Sequence, residues 1–160
     1  MKKLMKMLIL LLVVVGLIIG GVFLYDMFGI EKFKVINYDK SSNYSGLLVE
    51  TPYKPTSVES YWVEYDKNVV YATKYLFDSA EASSSFSKDF VNSIVSRLTM
   101  IGMQNNTMKD YSFNKYSGYS FFDGQNYDFF LLKDKAILMF SGNYAKTTEK
   151  VVEWFIGKYG

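Results

Sequence analysis

Acidic side chains are the first place to look for chemistry in this chain, because histidine and cysteine are both absent. Their absence excludes disulfides, thiolate or imidazole metal ligands, lipid attachment through cysteine, and Ser-His or Cys-His nucleophilic machinery. The stretch DGQNYD gathers oxygens from Asp123, Gln125, Asn126 and Asp128, as a calcium loop does. It lacks the EF-hand spacing and its bidentate glutamate, so it reads as a polar hairpin turn at Asp123-Gly124. Glu59, Glu64 and Asp66 cluster on one stretch, and Glu149 and Glu153 stand four positions apart. Paired carboxylates for hydrolysis must face each other across a cleft, whereas solvated strands and helices carry acids routinely. A Ser-Lys pair can replace histidine as base, but no serine, Ser141-Gly142 included, stands in a glycine-flanked elbow. The sequence therefore predicts no enzyme, catalytic residue, metal or cofactor. An envelope hydrolase using carboxylates or a Ser-Lys pair is the alternative.

Aromatic residues make up 18 % of the chain. Tyr61, Trp62, Tyr65, Tyr119 and Tyr127 form the candidate binding surface, since such rings combine large contact area with a polar tip. Left open on one face of a sheet, they would form an apolar patch that calls for a protein or envelope-component partner. Nucleic acid is not expected. The net charge of +2 includes Lys2, Lys3 and Lys6 at the start, leaving 15 basic against 16 acidic side chains, so no basic footprint remains for phosphates.

The elements that must carry these residues begin with the apolar run from Met7 to Tyr25, bounded by Lys6 and Asp26. A helix of that length reaches roughly 28 Å, close to the ~30 Å hydrocarbon core of a bilayer. Cleavable leaders have shorter apolar regions followed by small residues. The best match, Val14-Val15-Gly16, would leave Leu17 to Tyr25 as an apolar new terminus. Residues 1–28 are thus expected to be an uncleaved signal-anchor contacting the bilayer through 7–25. The lysines put the N-terminus in the cytoplasm and the C-terminal domain outside, in a single-pass cell-membrane protein. Gly16 and Gly20 have the GxxxG spacing that lets two helix backbones approach, a route to a weak homodimer. Asn43-Tyr-Ser45 and Asn105-Asn-Thr107 are N-glycosylation triplets at Asn43 and Asn105 in predicted loops.

Residues 29–57 are expected to be a membrane-proximal stalk, or first strands and a loop, and 58–160 an extracytoplasmic α+β domain. ESYWVEYDKNVVYATKYLF reads as a hairpin about Asp66-Lys67-Asn68. Tyr61, Val63 and Tyr65 would share one face of its first strand, and Val69, Tyr71, Thr73, Tyr75 and Phe77 one face of its second. Asp78 with Glu81 then suits a helix start, and Phe86, Phe90, Val91, Ile94, Val95, Leu98 and Ile101 form an apolar stripe ending near Gly102. Further strands are expected between Tyr111 and Gly142, with breaks near Ser117-Gly118, Asp123-Gly124 and Lys133-Asp134-Lys135. Phe129 to Leu132 is apolar on both faces and predicts an interior strand. A last helix is expected from Thr147 or Thr148, with Val151, Val152, Phe155, Ile156 and Tyr159 inward. The fold class expected is α+β: an antiparallel sheet of about five to seven strands with both helices on one face, core order β-β-α-β-β-β-α. A basic start, an anchor and a small aromatic-rich domain resemble the layout of many prokaryotic surface proteins, without a diagnostic motif.

Overall fold

The computed structural model describes residues 32–41, 51–100, 102 and 108–160. The anchor segment, with Gly16 and Gly20, and the two triplets at Asn43 and Asn105 lie outside the described residues. No helix among the described residues is long and apolar enough to cross a membrane.

The order is β1 (Phe33–Ser41), β2 (Ser57–Tyr65), β3 (Asn68–Leu76), α1 (Ala80–Met100), β4 (Lys109–Phe113), β5 (Tyr116–Phe122), β6 (Tyr127–Lys133), β7 (Ala136–Gly142) and α2 (Ala145–Tyr159). The class is α+β, and each strand group has one strand more than the core order expected. All seven strands form one sheet in the order β1-β2-β3-β7-β6-β5-β4, each neighbouring pair antiparallel. Two meanders, β1–β3 and β4–β7, are thus joined by the β3–β7 ladder, and α1 carries the chain from the middle of the sheet to its far edge. The compact unit starts at Phe33, so β1 is an edge strand of the sheet and not part of a stalk. A bulge between Val35 and Asn37 interrupts its pairing, a common protection of exposed edges.

Turn chemistry explains the strand spacing. Asp66 and Lys67 both have positive φ, 49° and 61°, as the favoured two-residue hairpin requires. Asn114 and Lys115, at 48° and 70°, make the same turn between β4 and β5. The break expected at Ser117-Gly118 is therefore three residues earlier. Gly118 lies inside β5, where a Cβ would run into the backbone carbonyl of Phe130 on β6. Its smallness serves a close strand approach and not a turn.

The two helices pack on opposite faces of the sheet, correcting the expectation of one. Residues two apart on a strand share a face, and the two buried clusters separate by that parity. Val151, Val152, Phe155 and Ile156 of α2 pack with Tyr61, Val63, Val70, Ala72, Phe129, Leu131, Leu138 and Phe140. Phe86 and Phe90 of α1 pack with Tyr75, Phe121, Phe130 and Ile137. The inner strands β6 and β7 are apolar on both sides because both sides are covered. Each fully buried Phe or Leu contributes about 1.5–3 kcal/mol of apolar burial, so neither face of these strands could be left to water.

Helix starts differ slightly from expectation. The cap of α1 is Ser79, whose Oγ accepts the Ala82 N–H at 3.1 Å, one residue after Asp78. Helix α2 starts at Ala145, and the Thr148 hydroxyl donates back to the Tyr144 carbonyl at 2.9 Å.

Candidate functional site

Helix α1 does not lie flush on the sheet along its whole length. Its N-terminal half is anchored by Phe86 and Phe90, and the Ser83 hydroxyl donates to the Asp134 carbonyl at 2.6 Å. Toward its C-terminal half a cavity of about 430 Å³ opens between helix and sheet. Ser93, Ile94 and Arg97 border it from α1; Tyr75, Phe121, Phe130 and Met139 are among the side chains lining it from the strands. That volume is in the range of small-molecule sites, which are mostly apolar with a few placed polar groups.

The placed polar group is Asp128. It lies on β6, directly across from Ser141 of β7, and shares the α1-side face with Phe130 and Leu132. Its Oδ1 is buried and has no hydrogen-bond partner among the described residues. Burial pushes its carboxyl up to about 6, a hydrogen bond from Ser141 opposes the rise, and the nearby charge of Asp123 adds to it. Asp123 also borders the cavity, but its Oδ1 is engaged by the loop, accepting the N–H groups of Gln125 at 2.8 Å and Asn126 at 2.6 Å. DGQNYD is therefore an Asp-braced turn, as expected, that delivers its last residue onto a buried strand face. No three His, Cys, Asp or Glu side chains among the described residues stand together to hold a metal ion.

The expected aromatic surface is not one surface. Tyr61 is 7 % exposed and faces α2, its ring edge-on to Phe155 at 4.9 Å, its hydroxyl donating to Glu59 at 3.0 Å. Tyr65 is on that same face, stacked on Phe33, which in turn stacks on Trp154 of α2. Tyr127 also points to the α2 side by strand parity and packs on Phe122 at 4.7 Å. Trp62 and Tyr119 point to the α1 side, on β2 and β5, with β3, β7 and β6 between them. Tyr119 lines a separate hollow with Ser87 and Leu132. Of the five, Trp62 alone is exposed, at 42 %, its ring edge-on to Tyr71 at 5.3 Å. Tyr71, half exposed, also lines the cavity, so this aromatic pair continues to its border.

The acids singled out in the sequence have structural surroundings. Glu59 pairs with Lys40 at 3.1 Å. Glu149 and Glu153 face Tyr111, whose hydroxyl is pushed up to about 12 by burial first and by these charges second. Sequence reasoning missed Asp128, Arg97 and Ser141 as neighbours of one cavity. The available signal was an acid on the same strand face as Phe130 and Leu132, in a strand already read as interior.

Comparisons with protein-family models, with curated proteins and with solved structures find no match to this chain.

Proposed function

We propose that this chain is a membrane-tethered, extracytoplasmic binding module whose α1-side cavity takes a small ligand without transforming it. The observation that carries the reading is the cavity itself: about 430 Å³, walled mostly by aromatic and aliphatic side chains, with the largely buried carboxyl group of Asp128 among the few polar groups bordering it. The uncharged 7–25 stretch of the sequence supports the tethering, and the lysines ahead of it support an outer-side domain. Gly16 and Gly20 supply the close approach for a weak homodimer within the bilayer.

Thermal unfolding of the full chain in detergent, with and without a panel of ring-bearing small molecules, tests the cavity. A ligand at one hundred times its Kd stabilises by about 2.7 kcal/mol, and Ser93→Phe, which fills the cavity from α1, should abolish that gain. The address is tested separately. The chain has no cysteine of its own, so Asn143→Cys gives a single thiol, and labelling of intact cells by an impermeant maleimide is expected. Labelling only after lysis would overturn the orientation.

One observation favours a second reading. Asp128 and Asp123 border the same cavity, and Asp128 stays protonated up to about pH 6, as a general acid does. A carboxylate hydrolase would then show turnover of chromogenic glycosides or esters that Asp128→Asn eliminates.

A further inference from the structure

Three charged side chains border the cavity, Arg97 from α1 and the acids Asp123 and Asp128 from the sheet side, and the two signs call for opposite ligands. Arg97 on α1 is exposed, whereas Asp128 on β6 lies below the helix with a buried oxygen. No ion pair joins them among the described residues, and Asp128 Oδ1 accepts no hydrogen bond there. An exposed guanidinium is already solvated by water. A buried carboxylate is not, so the larger change in interaction on ligand entry belongs to Asp128.

Resting on the cavity reading above, we propose that the ligand is an organic cation, a primary or secondary ammonium group on an aromatic or aliphatic body. The nitrogen pairs with the Asp128 carboxylate, and the body lies among Phe90, Phe121, Phe130 and Met139. Three features support this occupant. An ammonium supplies donors only, which is what an acceptor-only carboxylate lacks. The largely aromatic and aliphatic walls suit the burial of its apolar body. A bare divalent ion fits less well, because it demands six or more oxygens and Asp123 has one oxygen held by its own loop.

Binding should also follow the charge of Asp128. The titratable and charged groups around it are Asp123 in the β5–β6 turn, Arg97 on α1, and Tyr71 and Tyr75 on β3; β7 contributes the uncharged Ser141 and Met139. A carboxyl titrating at about 6 is nearly all ionised at pH 7.5 and about one-tenth ionised at pH 5. Cation affinity should therefore fall about tenfold between those values.

Isothermal titration of the full chain in detergent with three probes of similar shape tests the proposal: phenethylammonium, 2-phenylethanol and 3-phenylpropionate. Phenethylammonium is expected to bind at least tenfold tighter than the alcohol at pH 7.5. That preference should vanish in Asp128→Asn and shrink about tenfold at pH 5 in the unmodified protein. The pH series needs no variant, so it decides the matter even if Asp128→Asn fails to fold. Tightest binding of 3-phenylpropionate would give the selectivity to Arg97 and overturn the proposal. Equal binding of alcohol and ammonium, insensitive to pH and sensitive to Ser93→Phe, would also overturn it while leaving the cavity as a ligand site. Failure of all three probes would overturn the proposal and count against the cavity reading as well.

Discussion

Replacing Asp128 with asparagine should make the protein more stable at neutral pH, because it removes a negative charge held against its solvation while keeping the side chain's shape. In the folded protein this carboxyl titrates at about 6, against 3.8 when freely hydrated. The folded state therefore holds the proton more tightly than the unfolded one. Stability from this group is fully present below pH 3.8, declines as pH rises, and is lost above about 6. At 1.36 kcal/mol per pH unit, that gap corresponds to at most about 3 kcal/mol. The site keeps some exposure, and the asparagine amide adds donors that need partners. A net gain of about 1–2 kcal/mol at pH 7.5 is expected, or a Tm increase of about 2–8 °C for a chain of this size. Urea unfolding of parent and variant, followed by circular dichroism at pH 7.5, 6, 5 and 4, measures the difference directly. The gain should shrink steadily as pH falls through 6 and be nearly gone at pH 4. A variant less stable than its parent at pH 7.5, or a difference indifferent to pH, would refute the picture of a carboxylate held buried against its solvation.

Other perturbations test the scaffold around that site. Gly142→Ala should cost about 1–3 kcal/mol, because its Cβ would stand 2.5 Å from Thr148 Oγ1 and 3.0 Å from Val70 Cγ2; urea midpoints will show it. Ser83→Ala should cost about 1–2 kcal/mol by the same assay, since it removes the donor to the Asp134 carbonyl that ties α1 to the β6–β7 turn. Phe86→Ala and Phe155→Ala should each cost about 3–5 kcal/mol, the rings being fully buried on opposite sheet faces. Their effects should add in the double variant to within about 0.5 kcal/mol; strong coupling would contradict the three-layer arrangement.

Much of the scaffold was legible in the sequence. The hairpin about Asp66-Lys67-Asn68, the alternation of Tyr61, Val63 and Tyr65, and most of the 3.6-residue stripes of both helices carried over, with Asn68 already the first residue of β3. Helix placement did not, because a single apolar stripe says that a helix is covered but not which sheet face covers it. The deciding clue lay in β6 and β7, apolar on both faces, which a sheet covered on one side would not need. With helices on both sides, the aromatic residues divide between two cores, and Tyr61 and Tyr65 become packing residues, leaving Trp62 outside. Asp128 was legible as an acid but not as a buried one. Its neighbours Phe130 and Leu132 on the same strand face pointed inward, while the polar loop before it suggested solvent. Gly118 misled for a related reason, since glycine marks a close backbone approach as readily as a turn.

Methyl NMR of the full chain in detergent, labelled at methionine, tests most directly whether the space beneath α1 receives a ligand. Met139 lines the cavity, and Met100 at the end of the same helix is 78 % exposed, which makes it an internal control. Titration with phenethylammonium, 2-phenylethanol and 3-phenylpropionate should shift the Met139 methyl saturably with at least one probe and leave Met100 unmoved. A Met139 resonance unchanged by all three, or one that moves only in step with Met100, would contradict a ligand site between α1 and the sheet.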